Sequence, residues 1–412
     1  MSRIVFFCIP AHGHTNPTLG VVRELALRGH QVRYYSYDAF REKIEQAGAE
    51  FVSCDKYDIT RQMSRPESGP GAAQRKPGTA LQAPDSQDAA RIGKDLAFST
   101  KLLVDTTLAL DDMVCRDMAL FRPDCIVADS MAVWGKAVAL KLGIPFVSST
   151  TTFAFNQYSA KIMKQSFREM TNMLLSMPKI NRELKRLRDV GYPVKSILDI
   201  LQNDNQTNTI VYTSPEFQPC ADTFSDRYAF VGPSIRPPSF RIKKEKSRLV
   251  YISMGTVNND LPKFYRNCIS ALGCTDIQVI MSVGSCLDTR KLGALPENIS
   301  IFESVDQIAV LSAANAFLSH CGMNSVSESL YYQVPLIMHP LTSEQKGVAA
   351  RTAQLGAGLL LKKESPAQIR WAVDYMLSNP SYRKNAAKIS DSFKRCGGAK
   401  SAADKILKAC AV

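Results

Sequence analysis

The sequence contains no C-x-x-C pair, no G-x-G-x-x-G, no G-x-S-x-G and no long uncharged apolar run. Each absence removes a class of function. Zinc ribbons and thioredoxin-like redox motifs need paired cysteines, and the eleven here are scattered singly. A dinucleotide-dependent oxidoreductase loses its glycine fingerprint, and a serine hydrolase loses its nucleophile elbow. A membrane-spanning helix needs roughly 18 or more apolar residues in a row, so no transmembrane segment is expected. The N-terminal run "IVFFCI" is too short for a signal peptide and reads as a buried first strand. An odd number of cysteines without such a leader fits reduced thiols in a cytoplasm.

What the chain has is an ordinary globular composition, 45% hydrophobic and 22% charged, over 412 residues. That length favours two cores over one. The net charge is +13, with basic clusters at 241–246 (RIKKEK) and 181–188 (NRELKRLR). Neither cluster has interleaved aromatics, so nucleic acid is not an expected partner, and a solvated basic face accounts for them.

Strand and helix patterns alternate through both halves. Strands are expected over 3–10, 31–37, 125–130 and 144–150, with helices over 17–29, 38–48 and 131–142. Residues 61–91, rich in Pro, Gly, Ala, Gln and Ser, break the pattern as a mobile loop. The Pro-rich, charged stretch 231–247 reads as a linker. A second alternating set follows it, with strands at 248–255, 277–284, 298–305, 316–320 and 335–340. Such alternation implies parallel sheets with right-handed crossovers.

Polar residues gather where these strands end, the edge at which open α/β sheets bind ligands. "SHCGMNS" (319–325) joins a strand to a helix. A helix start offers backbone N–H groups and a partial positive charge to an anion. Gly322 allows close approach there, and His320, Asn324 and Ser325 add polar contacts. Glu328, one turn beyond Asn324, is out of place beside an anion unless it accepts hydrogen bonds from a sugar diol. "SMGT" (253–256) and "SVGS" (282–285) place Gly255 and Gly284 at two further strand ends. "PLTSEQ" (340–345) carries Glu344 and Gln345, suited to several hydroxyls. In the first half, "AHGHTNP" (11–17) carries His12 and His14, while Asp129 ends a strand and could orient an imidazole. Metal binding by the two histidines lacks a third ligand, so no metal is expected.

Residues 304–345, "SVDQ" through "SHCGMNSVSE", "QVP" and "PLTSEQ", resemble the nucleotide-sugar signature of UDP-glycosyltransferases of the bacterial macrolide type. "AHGHTNPTLGVVRELALRGHQV" and "VYISMGTVNNDLPKFYRNC" resemble the same family, so the likeness spans nearly the whole chain. The resemblance implies a GT-B fold: two facing Rossmann-like α/β domains with parallel sheets and a cleft between them. Residues 1–231 would be the acceptor domain, 232–247 the linker and 248–390 the nucleotide-sugar domain, with a C-terminal helix over 391–412 packing back on the first.

The resemblance also implies inverting, metal-independent transfer of a UDP-linked hexose to a hydroxyl of a hydrophobic small molecule such as a polyphenol or macrolide, with no cofactor. His14 would be the base and Asp129 its orienting partner. His320, Asn324 and Ser325 would hold the diphosphate with Thr256 adding a phosphate contact, Glu328 would hold the ribose, Gln307 would lie near the nucleoside, and Gly284, Ser304, Val305 and Gly322 would also line the nucleotide-sugar site. Glu344 and Gln345 would contact the sugar, and Phe153, Phe155 and Tyr158 are candidate acceptor contacts. The family's W-x-P-Q is S-V-D-Q here, with Ser304 for Trp and Asp306 for Pro, and its D-Q is Glu344-Gln345. Two alternatives stay open: a nucleotide-sugar epimerase of similar architecture, and a non-catalytic partner of another glycosyltransferase.

Overall fold

The structure, a computed structural model, describes residues 1–57, 95–156, 158–159, 167–197, 199, 205–256, 259–285 and 287–411. The 61–91 loop lies outside the described residues. The chain divides into two compact units. One comprises Met1–Val211, Asp222–Phe230 and Ala399–Val412; the other comprises Tyr212–Ala221 and Val231–Gly398.

The first unit is built on a seven-stranded sheet. Its elements are β1 (Arg3–Phe7), α1 (His12–Leu27), β2 (Gln31–Ser36), α2 (Arg41–Gln46), β3 (Glu50–Ser53), α3 (Leu96–Phe121), β4 (Cys125–Asp129), α4 (Val133–Leu142), β5 (Phe146–Thr150), α5 (Phe167–Asp189), β6 (Asn208–Val211) and β7 (Tyr228–Phe230). The strand order is β3-β2-β1-β4-β5-β6-β7, and every neighbouring pair is parallel. Helices cover such sheets, so the central strands read as unbroken apolar runs. β1 and β4 accordingly bury Ile4, Val5, Phe6, Phe7, Ile126, Val127 and Ala128 almost completely.

The second unit has a six-stranded parallel sheet ordered β10-β9-β8-β11-β12-β13. Its elements are β8 (Arg248–Ser253), α6 (Pro262–Leu272), β9 (Ile277–Ser282), β10 (Ile299–Phe302), α7 (Gln307–Ala313), β11 (Ala316–Ser319), α8 (Met323–Tyr331), β12 (Leu336–Met338), α9 (Ser343–Gln354), β13 (Gly358–Leu360), α10 (Pro366–Ser378) and α11 (Pro380–Arg395). The last helix, α12 (Gly398–Cys410), belongs to the first unit apart from its first residue. There it buries Ala402, Ala403, Ile406 and Ala409, and Arg28 pairs with its Asp404 at 2.5 Å.

One boundary differs from the sequence reading in a way that matters for the site. Pro17 favours a helix start, because its missing N–H costs nothing in a first turn. The helix instead begins at His12 and holds Pro17 inside it. The His14 N–H reaches the Ala11 carbonyl at 3.0 Å and that of Thr15 the same carbonyl at 2.9 Å. His14 therefore rides on the first helical turn and not on a loose connection.

Candidate functional site

In the first unit the chemistry sits where β1, β4 and β5 end. His14 Nδ1 lies 2.8 Å from Asp129 Oδ2 and 3.0 Å from Thr151 Oγ1. Asp129 is fully buried as a side chain, whereas 20% of His14 stays accessible. The carboxylate is itself fixed. Its Oδ1 accepts the Met131 N–H at 3.2 Å, and the Cys8 thiol points at Oδ2 from 3.8 Å. Burial, followed by the neighbouring Asp129 charge, pushes the Cys8 thiol well above its ordinary pKa, so Cys8 is a neutral donor here. With Nδ1–H directed at a carboxylate, the neutral ring carries its lone pair on Nε2, the tautomer a general base needs. His12, two residues earlier, packs its ring 4.9 Å from that of Phe40. Burial, then Lys43, lowers its pKa. It shares none of the Asp129 contacts.

Beyond β5, Thr151 leads into the candidate acceptor residues. Phe153 is buried with 7% exposed, so it packs in the core, while Phe155 and Tyr158 each expose 48%. Sequence reasoning did not single out Thr151 or Cys8. Both follow a strand directly, at the edge where ligands collect, and that position is the signal that could have found them.

In the second unit, the parallel sheet brings the ends of β8, β9, β11 and β12 to one edge. Gly322 is the N-cap of α8, and no side chain caps that terminus. The first hydrogen bond of the helix runs from Val326 N to Gly322 O at 3.0 Å. The turn before it is tight: Cys321 adopts φ 67° and donates its N–H to Ser319 Oγ at 3.1 Å.

His320 lies between two glycines. A Cβ on Gly255 would come 2.7 Å from its Cε1 and Nε2, and one on Gly322 would come 2.6 Å from Nε2. Gly255 also has φ +83°, a left-handed conformation. Burial lowers the His320 pKa to about 4, although the neighbouring Ser253 backbone opposes the shift. Nδ1 makes no hydrogen bond of ordinary geometry. At neutral pH His320 is therefore an uncharged imidazole, and it can donate one N–H to an anion when the proton sits on Nε2. Asn259, missed in the sequence, holds this loop through Nδ2–H to Gly255 O at 2.9 Å. Gly284 packs against the same amide.

We expect Gly255→Ala to destabilise the second unit by about 1–3 kcal/mol, because it combines left-handed strain with a clash against the ring. Thermal melting should show the loss, and nucleotide titration should show weaker binding through the displaced His320.

Glu328 faces the same helix end. Gln307 Nε2 donates to its Oε2 at 2.6 Å and lies 3.3 Å from Ser325 Oγ. Tyr251, 1% exposed, donates its hydroxyl to Gln307 Oε1 at 3.2 Å. That bond fixes the amide so that its NH₂ faces the carboxylate. Burial raises the Glu328 pKa from 4.5 to about 7, with Gln307 and the Arg236 charge opposing. A half-buried carboxylate that has no ion-pair partner among the described residues is a candidate binding group.

The remaining predicted positions are more open. Ser304 and Thr256 are exposed, and Val305 is half-buried. Glu344 is exposed on the first turn of α9. Gln345 has a structural duty: its Oε1 accepts the N–H groups of Leu341 at 2.8 Å and Thr342 at 3.1 Å in a capping box. Its Nε2 takes no part in that box.

Two parallel-sheet α/β units, with an imidazole–carboxylate pair in one and a helix terminus without a side-chain cap beside an amide-held carboxylate in the other, set the frame for comparison. The profile of the UDP-glucoronosyl and UDP-glucosyl transferase family matches residues 241–395. An uncharacterized UDP-glucosyltransferase, YojK, of Bacillus subtilis strain 168 is 31% identical over 99% of this chain and 98% of its own. The demethyllactenocin mycarosyltransferase of Streptomyces fradiae is 28% identical over 98% of this chain and 86% of its own. The crystal structure of the glycotransferase of kitacinnamycin superposes with a TM-score of 0.80 at 22% identity, covering 99% of this chain and 98% of that one. The chain belongs to the UDP-glucoronosyl and UDP-glucosyl transferase family, and it is a glycosyltransferase of GT-B fold.

Proposed function

We propose that the protein transfers a sugar, with inversion and without a metal, from a uridine diphosphate sugar to a hydroxyl of a hydrophobic natural product. The observation that carries this reading is the 2.8 Å contact between His14 and the buried Asp129. In the step that follows from it, the acceptor hydroxyl gives its proton to His14 Nε2. The oxygen attacks the anomeric carbon from the face opposite the nucleotide. The bond from that carbon to the β-phosphate oxygen breaks, and the electron pair leaves on the phosphate. Asp129 stabilises the imidazolium that forms, so the triad logic of hydrolases applies without a nucleophilic serine.

The leaving diphosphate gains negative charge as it departs. The amide end of α8 and the His320 N–H meet that charge with fixed dipoles. Glu328, ionised, accepts both hydroxyls of the ribose, and Gln307 steadies it. Glu344 and Gln345 Nε2 are assigned to the donor sugar. The acceptor class rests on the mycarosyltransferase relative's name and on the exposed rings of Phe155 and Tyr158. A cytoplasmic setting fits the absence of disulfides among the described residues. Among those residues, too, no helix is long and apolar enough to cross a membrane.

A panel of nucleotide sugars against polyphenol, macrolide and sterol acceptors, read by mass, tests the reading. We expect one sugar mass added to an acceptor, and an anomeric configuration opposite to that of the donor by proton coupling. Retained configuration would remove the single-displacement mechanism. Isomerised donor in the absence of any acceptor would point to an epimerase.

A further inference from the structure

Arg236 is unusual for a half-exposed arginine, with 47% of its side chain accessible. Four hydrogen bonds hold its guanidinium. Nη2 reaches Asp306 Oδ1 at 2.6 Å, and Nη1 reaches Asp306 Oδ2 at 3.1 Å, Ser239 Oγ at 2.9 Å and Pro237 O at 3.1 Å. Asp306 is fixed in its turn. It is 10% exposed, caps α7 through the Ala309 N–H at 3.2 Å and accepts the Ser239 N–H at 3.1 Å. Burial would raise its pKa, but hydrogen bonds from Arg236 and Ser239 bring it down to about 2, so the clamp is ionic across the working pH range.

A clamp of this kind fixes the guanidinium plane as well as its position. Isolated surface ion pairs add little to stability, so stability alone gives little reason for it. Its location supplies a reason. Gln307, the residue after Asp306, donates to Glu328 at 2.6 Å, so the residue that clamps Arg236 adjoins the one that holds the carboxylate. If Glu328 holds the ribose, as proposed above, a base on that ribose comes into reach of this cluster. A base needs a flat partner, and the exposed Ser304 offers none. A guanidinium does, since its delocalised plane stacks on aromatic rings and bases.

We propose that Arg236, held flat by Asp306, is the surface on which the donor's nucleobase stacks, so that the Asp306–Arg236 pair sets base affinity. The inference rests on the ribose role of Glu328. It is distinct from a charge effect on the diphosphate, which a lysine would preserve.

The test is calorimetric titration of UDP and dTDP, each beside its 5,6-dihydro derivative. Saturation puckers the ring while keeping its hydrogen-bonding edge. The wild type should prefer the planar base by about tenfold. Arg236→Lys should lose most of that preference while its affinity for the dihydro form stays near that of the wild type. Asp306→Asn, which keeps the cap and loosens the clamp, should fall between them. Equal wild-type affinity for planar and puckered bases would overturn the inference, as would an Arg236→Lys variant that weakens both alike. A wild type that binds none of the four nucleotides would instead overturn the donor reading itself.

Discussion

Replacing His14 with alanine is expected to lower transfer by about 10²–10⁴-fold, the usual worth of a positioned general base. Nucleotide binding should not change, because the groups assigned to the donor all lie in the other unit. The loss should appear in kcat, with KM for the donor nearly constant, since the proton moves only in the transition state. Asp129→Asn separates the two roles of the carboxylate. It keeps the shape but removes the charge and permits the wrong imidazole tautomer, so its loss should approach that of His14→Ala. The double variant should be scarcely worse than either, because the two side chains act as one unit. Single-turnover rates of the three variants against the wild type check this. An additive double variant would mean that the 2.8 Å contact is structural.

The second large effect is at Glu328, and its sign differs between stability and binding. The folded-state pKa is raised from 4.5 to about 7 by burial. Below 4.5 the group is protonated in both states and costs nothing. As pH rises from 4.5 through 7 the unfolded chain gives up its proton first, so the unliganded protein loses stability, by about 3 kcal/mol from this group once pH exceeds 7. Glu328→Gln should therefore be more stable than the wild type at pH 8 by an amount of that order, and no more stable at pH 4. Binding should go the other way. Removing a charged acceptor that serves a diol should weaken a UDP-sugar by about 10–100-fold at pH 8. Wild-type affinity should decline as pH falls below 7 and Glu328 takes up its proton, while the glutamine variant stays flat. An intact UDP-sugar is the right ligand, because its diester diphosphate does not titrate near neutrality. Denaturation and calorimetry at pH 4, 6 and 8 measure both arms. A variant that is less stable at pH 8 would make Glu328 a structural residue.

Much of this site was legible in the sequence because its parts are local. The helix beginning beside His320, the Asn324–Glu328 spacing and Gln307 are set by runs of a few residues, and strand–helix alternation already implied that they share a sheet edge. His14 and Asp129 were paired, as base and orienting partner, through the family resemblance; their contact itself depends on β1 and β4 being neighbours, which strand order decides. The start of α1 was misplaced because Pro17 favours a helix start, yet tertiary packing carries the helix five residues further back. The Arg236–Asp306 clamp left no trace at all. Its partners lie 70 residues apart, and an arginine in a charged linker looks like any solvated cation. The protonation of His320 and Glu328 was likewise hidden, since burial, not residue type, sets both.

The most direct measurement is a crystal structure with UDP bound. The account predicts phosphate oxygens about 3 Å from the N–H groups opening α8 and from His320 Nε2, with both ribose hydroxyls on Glu328. A diphosphate seated away from that helix end, or a ribose that leaves Glu328 unpaired, would contradict it.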